Sequence, residues 1–144
     1  MPLPLMIENR RAWQTFWLAA ATIFMVSLDA TVVVAAFPAL RSAFSEASAA
    51  ALSWTINGYT IVFAALLVPF GRVVDQFGPR RCFLLSTAAF TLASTACGLA
   101  PNPEWLTAAR VLQAIAAAMI SPASLTLILA VFAPEHRSRS AGLW

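Results

Sequence analysis

The stretch Gly71-Arg72-Val73-Val74-Asp75-Gln76-Phe77-Gly78-Pro79-Arg80-Arg81 decides the fold. Three arginines, one aspartate, two glycines and a proline stand between two long apolar runs. In hydrocarbon, charges and open turn backbone find no hydrogen-bond partners. The stretch is therefore expected to be a tight loop at a membrane surface. Its surplus of arginine assigns that surface to the cytoplasm.

Composition agrees with a membrane setting. Of 144 residues, 60% are hydrophobic and 10% charged, whereas a soluble domain carries roughly a quarter charged residues. The class expected is an all-α, polytopic helical membrane protein. The net charge of +3 comes from arginine, with no lysine in the chain. These arginines gather at the ends of apolar runs, which is a topology signal and not a nucleic-acid patch. Cys82 and Cys97 fall in one apolar run. On a helix they stand about 22 Å apart, too far for a disulfide, and read as small packing residues.

Outward from the loop, the chain divides into a cytoplasmic lead over 1–12 and a transmembrane domain over 13–144. Four spans are expected, over about 13–40, 50–70, 82–100 and 105–133, and a fifth begins near 141. The first run is too long for a signal peptide. The third is crowded with Ser, Thr, Ala and Gly, which lets neighbouring helices approach closely. Pro122 predicts a bend in the fourth. Arg10, Arg11, Arg72, Arg80, Arg81, Arg137 and Arg139 all lie on one side of these spans, and Arg41 lies on the other. The expected amino terminus is cytoplasmic. Trp13, Trp17, Trp54, Trp105 and Trp144 sit near expected helix ends, as an interfacial aromatic belt does.

Asp29 is the sharpest chemical signal, because an ionisable group within a span usually faces a cavity or a partner. Three roles fit it: a carboxylate that exchanges protons or senses cations, one half of a structural ion pair, or a helix-end residue of a shorter span. Arg110 is the basic residue within an apolar run, about 7 Å in from Trp105. Counting rise per residue separates Arg110 from Asp29 by about 9 Å in depth. Two roles therefore stay open for Arg110, pairing with Asp29 or snorkelling to the outer interface. Gln113, Ala117, Ser121 and Ser124 follow at helical spacing and form a stripe expected to face the bundle interior. Asn57, Gly58 and Tyr59 make a polar patch in the second span that fits either a lined pathway or helix packing. No phosphate-cradling loop, metal-ligand cluster or nucleophile elbow occurs, so neither an enzyme nor a cofactor is expected.

The motifs together resemble the major facilitator superfamily. Gly71-x-x-x-Asp75-x-x-Gly78-x-Arg80-Arg81, between second and third spans, resembles that family's loop signature, with Gln76 and Pro79 where basic residues are usual. Leu28-Asp29-x-Thr31-Val32-Val33, running to Pro38, resembles the first-helix signature of the fourteen-span drug:proton antiporters, which usually have asparagine where Val34 stands. Arg110-Val111-Leu112-Gln113 and Ser121-Pro122-Ala123-Ser124 resemble the fourth-helix motif, with Ala114 and Ala116 replacing glycines. Pro134-Glu135-His136-Arg137 to Gly142-Leu143-Trp144 resembles the approach to a fifth helix.

The resemblance implies a proton-coupled exporter of amphipathic, drug-like substrates in a bacterial inner membrane. Its partners would be the lipid bilayer, protons and the drug, with no nucleic acid. Asp29 and Arg110 would serve proton coupling or cation recognition. Asn57, Tyr59, Gln113 and Ser121 would line the pathway. Gly71, Asp75, Gly78, Arg80 and Arg81 would form a cytoplasmic gate loop. The expectation is an amino-terminal portion of such a transporter, inactive alone. Two alternatives remain at this point: a sugar or metabolite carrier of the same superfamily, and a small membrane protein that assembles with a partner.

Overall fold

The computed structural model describes residues 3–132 and 141–142. The expected second basic loop, with His136, Arg137 and Arg139, and nearly all of the expected fifth span including Trp144, lie outside the described residues. The fold is all-helical, in the order α1 (Leu3–Ala35), α2 (Phe37–Ala43), α3 (Ala49–Phe77), α4 (Pro79–Gly98) and α5 (Pro103–Val131).

Local chemistry sets the boundaries. Pro38 lacks an N–H and crowds the carbonyl one turn back, and the first helix breaks at Ala36 just ahead of it. The first span expected over 13–40 is thus two helices, and α1 begins earlier than expected, at Leu3. Ser48 starts α3 by accepting a hydrogen bond from the Ala51 N–H at 3.1 Å, and Asn102 starts α5 through the Trp105 N–H at 2.8 Å. Both are side-chain N-caps that satisfy otherwise orphaned donors.

The decisive stretch is folded differently from the expected loop. α3 continues through Phe77 and α4 begins at Pro79, so only Gly78 turns the chain. A helix satisfies its own backbone, so the charges of 72–81 ride on helical extensions of the apolar runs. Gly78 takes φ +88, a conformation glycine adopts without a steric penalty. Pro79 then occupies the first turn of α4, where its missing N–H costs nothing.

Helix α5 is the hub, packing against α1, α3 and α4. Its contact face is built of alanines; Ala114, Ala117, Ala118 and Ala123 are fully buried. Small side chains let the backbones approach in the absence of a strong hydrophobic drive. One core joins Val26, Tyr59, Phe90 and Ile120 from the four long helices. Further pairings give their directions. Phe16 meets Ile128, and Val74 meets Cys82 and Ala123. The hydroxyls of Thr55 and Thr107 lie 3.1 Å apart. Hence α3 and α5 run parallel, and α1 and α4 run against them. The exposed Arg10, Arg72, Arg80 and Arg81 share one end of the bundle, and the exposed Arg41 lies at the other.

Three described helical segments are long and apolar enough to cross a membrane: Ala12–Ala35, Ala49–Phe77 and Pro103–Val131. Four spans were expected among these residues. The difference is α4, which begins with two arginines and is rich in hydroxyls. Several of those hydroxyls bond back to their own helix, as Ser86 to Cys82, Thr91 to Thr87 and Thr95 to Thr91, the usual way such groups are tolerated in apolar surroundings. Pro122 lies within α5, as expected, and Pro69 lies within α3.

Candidate functional site

Two residues that chain counting separates in depth are joined. The Arg110 Nη1 of α5 donates to Asp29 Oδ2 of α1 at 2.5 Å. The same nitrogen donates to Gln113 Oε1 at 2.8 Å, and Gln113 Nε2 donates to Asp29 Oδ1 at 2.9 Å. Gln113 follows Arg110 by three residues, so both leave the same face of α5. The result is a closed triangle, in which each carboxylate oxygen has its own donor. The Arg110 side chain reaches the carboxylate in spite of the separation that rise counting left between them, so the arginine is paired.

The triangle is deeply placed. Arg110 is 3% exposed and Gln113 0%, whereas the Asp29 side chain keeps 20%. The carboxylate is thus the one member open to the surroundings. A buried guanidinium stays charged, and it depends on that carboxylate as its counter-charge. The Arg110 Cζ lies 4.2 Å from the centroid of the Tyr59 ring of α3, within cation–π range. Tyr59 in turn stacks on Phe63, with centroids 6.1 Å apart. From α4, Cys97 Sγ approaches Gln113 Oε1 at 3.6 Å. Side chains of all four long helices therefore converge on one buried charge pair.

The remaining expected residues are distributed as follows. Ser121 is half-buried further along α5 and donates to the Ala117 carbonyl at 3.3 Å. Asn57 is exposed and does not share the face of Tyr59, because residues two apart on a helix point in different directions; the expected polar patch is split. Asp75, Arg80 and Arg81 are exposed, Gly71 and Gly78 half-buried, and none of these charges forms an ion pair with a described residue. A groove of about 550 Å³ between α4 and α5 is lined by apolar side chains such as Leu85, Leu92, Ile115 and Met119. It contains none of the expected site residues. Sequence reasoning read Cys97 only as a packing residue, because nothing in the residue pattern of α4 shows that it meets Gln113 of α5.

Comparison with known proteins bears on what this site serves. The family profile of the Major Facilitator Superfamily matches residues 19–144. The chain is 40% identical to the puromycin resistance protein pur8 of Streptomyces alboniger, over 95% of this chain and 27% of that protein. It is 39% identical to the methyl viologen resistance protein SmvA of Salmonella typhimurium, over 93% of this chain and 27% of that protein. It is 35% identical to the tetracenomycin C resistance and export protein of Streptomyces glaucescens, over 93% of this chain and 25% of that protein. The chain spans about a quarter of the length of the curated relatives it matches.

Proposed function

The chain belongs to the Major Facilitator Superfamily, a family of multi-pass membrane transporters, and we propose that it supplies the proton-responsive centre of a drug:proton antiporter. The observation that carries this reading is the Asp29–Arg110–Gln113 triangle, which sets a part-exposed carboxylate against a buried arginine across two helices. Relatives whose names record resistance or export support a drug-like, amphipathic cargo.

The chemistry follows from charge balance. With Asp29 ionised, the pair is neutral and α1 is tied to α5. When a proton arrives at Asp29, the carboxylate loses its charge and Arg110 is left buried without a counter-ion. Uncompensating a buried pair costs on the order of 3–5 kcal/mol, enough to shift the balance between two bundle arrangements. A cationic drug approaching Asp29 competes with the proton for the same carboxylate, which is the exclusion antiport requires. In this reading α4 crosses the membrane with the other three long helices. The arginine-rich end faces the cytoplasm of a bacterial inner membrane, with the amino terminus on the same side. Asp75, Arg80 and Arg81 latch the gate there. Asn57, Ser121 and Gln113 face the cargo path at some stage of the cycle. The chain contributes one part of that path, and without the remaining helices of such a transporter it moves no drug.

The test is drug accumulation in inverted vesicles, the form that cellular efflux takes there, with a full-length transporter that contains this sequence. The parent couples efflux to a proton gradient. Asp29→Asn loses the coupling by at least tenfold. Unchanged, gradient-driven efflux by Asp29→Asn would falsify the reading.

A further inference from the structure

Three observations around Arg110 carry an inference about Tyr59. The guanidinium lies against the Tyr59 ring at 4.2 Å. The Tyr59 hydroxyl and the Arg110 Nε are both buried and have no hydrogen-bond partner among the described residues. The Phe63 ring stacks with that of Tyr59, 5° from parallel, and restrains its plane. Whatever Tyr59 does for the arginine is therefore done by the face of its ring and not by its hydroxyl.

We propose that Tyr59 is a positioning residue that holds Arg110 in the site while Asp29 carries a proton. The inference deepens the antiporter reading and rests on it for its purpose. The groups facing the pair come from every helix packed there: Asp29 on α1, Tyr59 on α3, Cys97 on α4 through Gln113, and Gln113 on α5. Once Asp29 is neutral, two stabilising contacts remain for the guanidinium. One is the Gln113 carbonyl oxygen at 2.8 Å. The other is the electron-rich ring face, whose attraction grows when the cation is desolvated and no longer shared with an anion. The ring thus favours the protonated site over the ionised one, and keeps the arginine in place to recapture the carboxylate when the proton leaves.

The sign follows from this balance. Removing the ring face penalises the protonated state more than the ionised state, so Asp29 then takes up its proton only at lower pH. The test is an infrared titration, in lipid nanodiscs, of a full-length transporter that contains this sequence. The protonated-carboxyl band of Asp29 is isolated by subtracting the Asp29→Asn spectrum. Tyr59→Phe titrates as the parent does. Tyr59→Leu moves the midpoint acidward by about 0.5–1 pH unit, the amount by which a cation–π contact strengthens once the cation has lost its other partner. A series of phenylalanines of increasing ring fluorination at position 59 keeps the shape while draining the face, and moves the midpoint acidward step by step. This series decides the matter by itself if Tyr59→Leu fails to insert. A midpoint unmoved by the fluorinated series overturns the proposal, whatever Tyr59→Leu does, because packing alone would then account for the ring. The readout needs no drug transport, so the vesicle result for Asp29→Asn and this titration fail independently.

Discussion

Asp29, Arg110 and Gln113 hold one another by three hydrogen bonds from two helices, and their separate visibility in the sequence differs for physical reasons. Asp29 and Arg110 stand out because charge inside an apolar run is costly and rare. Gln113 is legible as the next polar residue on the same helical face. The pairing itself was legible only as one of two alternatives, since depth counted along straight helices omits tilt and the reach of an arginine. The ring of Tyr59 over Arg110 and the thiol of Cys97 near Gln113 were invisible as partners, because only packing brings α3 and α4 to that depth. Gln113→Leu fits the space but leaves Asp29 Oδ1 and one direction of the guanidinium without a partner. The expected loss is about 1–3 kcal/mol of stability, seen as a lower melting temperature in detergent, with the proton-coupled efflux of a full-length transporter reduced more than its expression.

Among the elements, α5 carries the consequence of its alanines. Ala117 is fully buried between helices, and adding a larger side chain there must push a neighbouring backbone away. Ala117→Leu is expected to lower stability by about 1–3 kcal/mol through overpacking, measured by thermal unfolding in detergent, whereas a substitution at the exposed Leu112 of the same helix leaves it unchanged. The helices were readable from apolar runs and prolines, and the structure adds Ser48 and Asn102 as the caps of two of their starts. Their true lengths were not. The Gly71–Arg81 stretch has the composition of a loop, yet helical backbone tolerates its charges once it emerges from the apolar layer, and only Gly78 departs from helix. Conversely, the run expected to form one helix to residue 40 is divided at Ala36, where the backbone effect of Pro38 outweighs continuous hydrophobicity.

At the scale of the whole molecule, up-down packing around α5 places the described arginines other than Arg41 and Arg110 at one end, and the membrane orientation rests on that asymmetry. In a background with Cys82 and Cys97 replaced by serine, single substitutions Asp75→Cys and Glu46→Cys report opposite surfaces. A membrane-impermeant thiol reagent added to intact cells is expected to label position 46 and not position 75. The reverse pattern inverts the orientation of every helix. The claim on which the rest depends is that proton and drug compete for the carboxylate that α5 holds through Arg110. The most direct measurement is proton release when a cationic drug is added to a purified, weakly buffered full-length transporter containing this sequence. With the pH set low enough that Asp29 carries its proton before the drug is added, the account predicts release of about one proton per bound drug by the parent and none by Asp29→Asn; equal release from both proteins, or none from the parent at that pH despite drug binding, would contradict it.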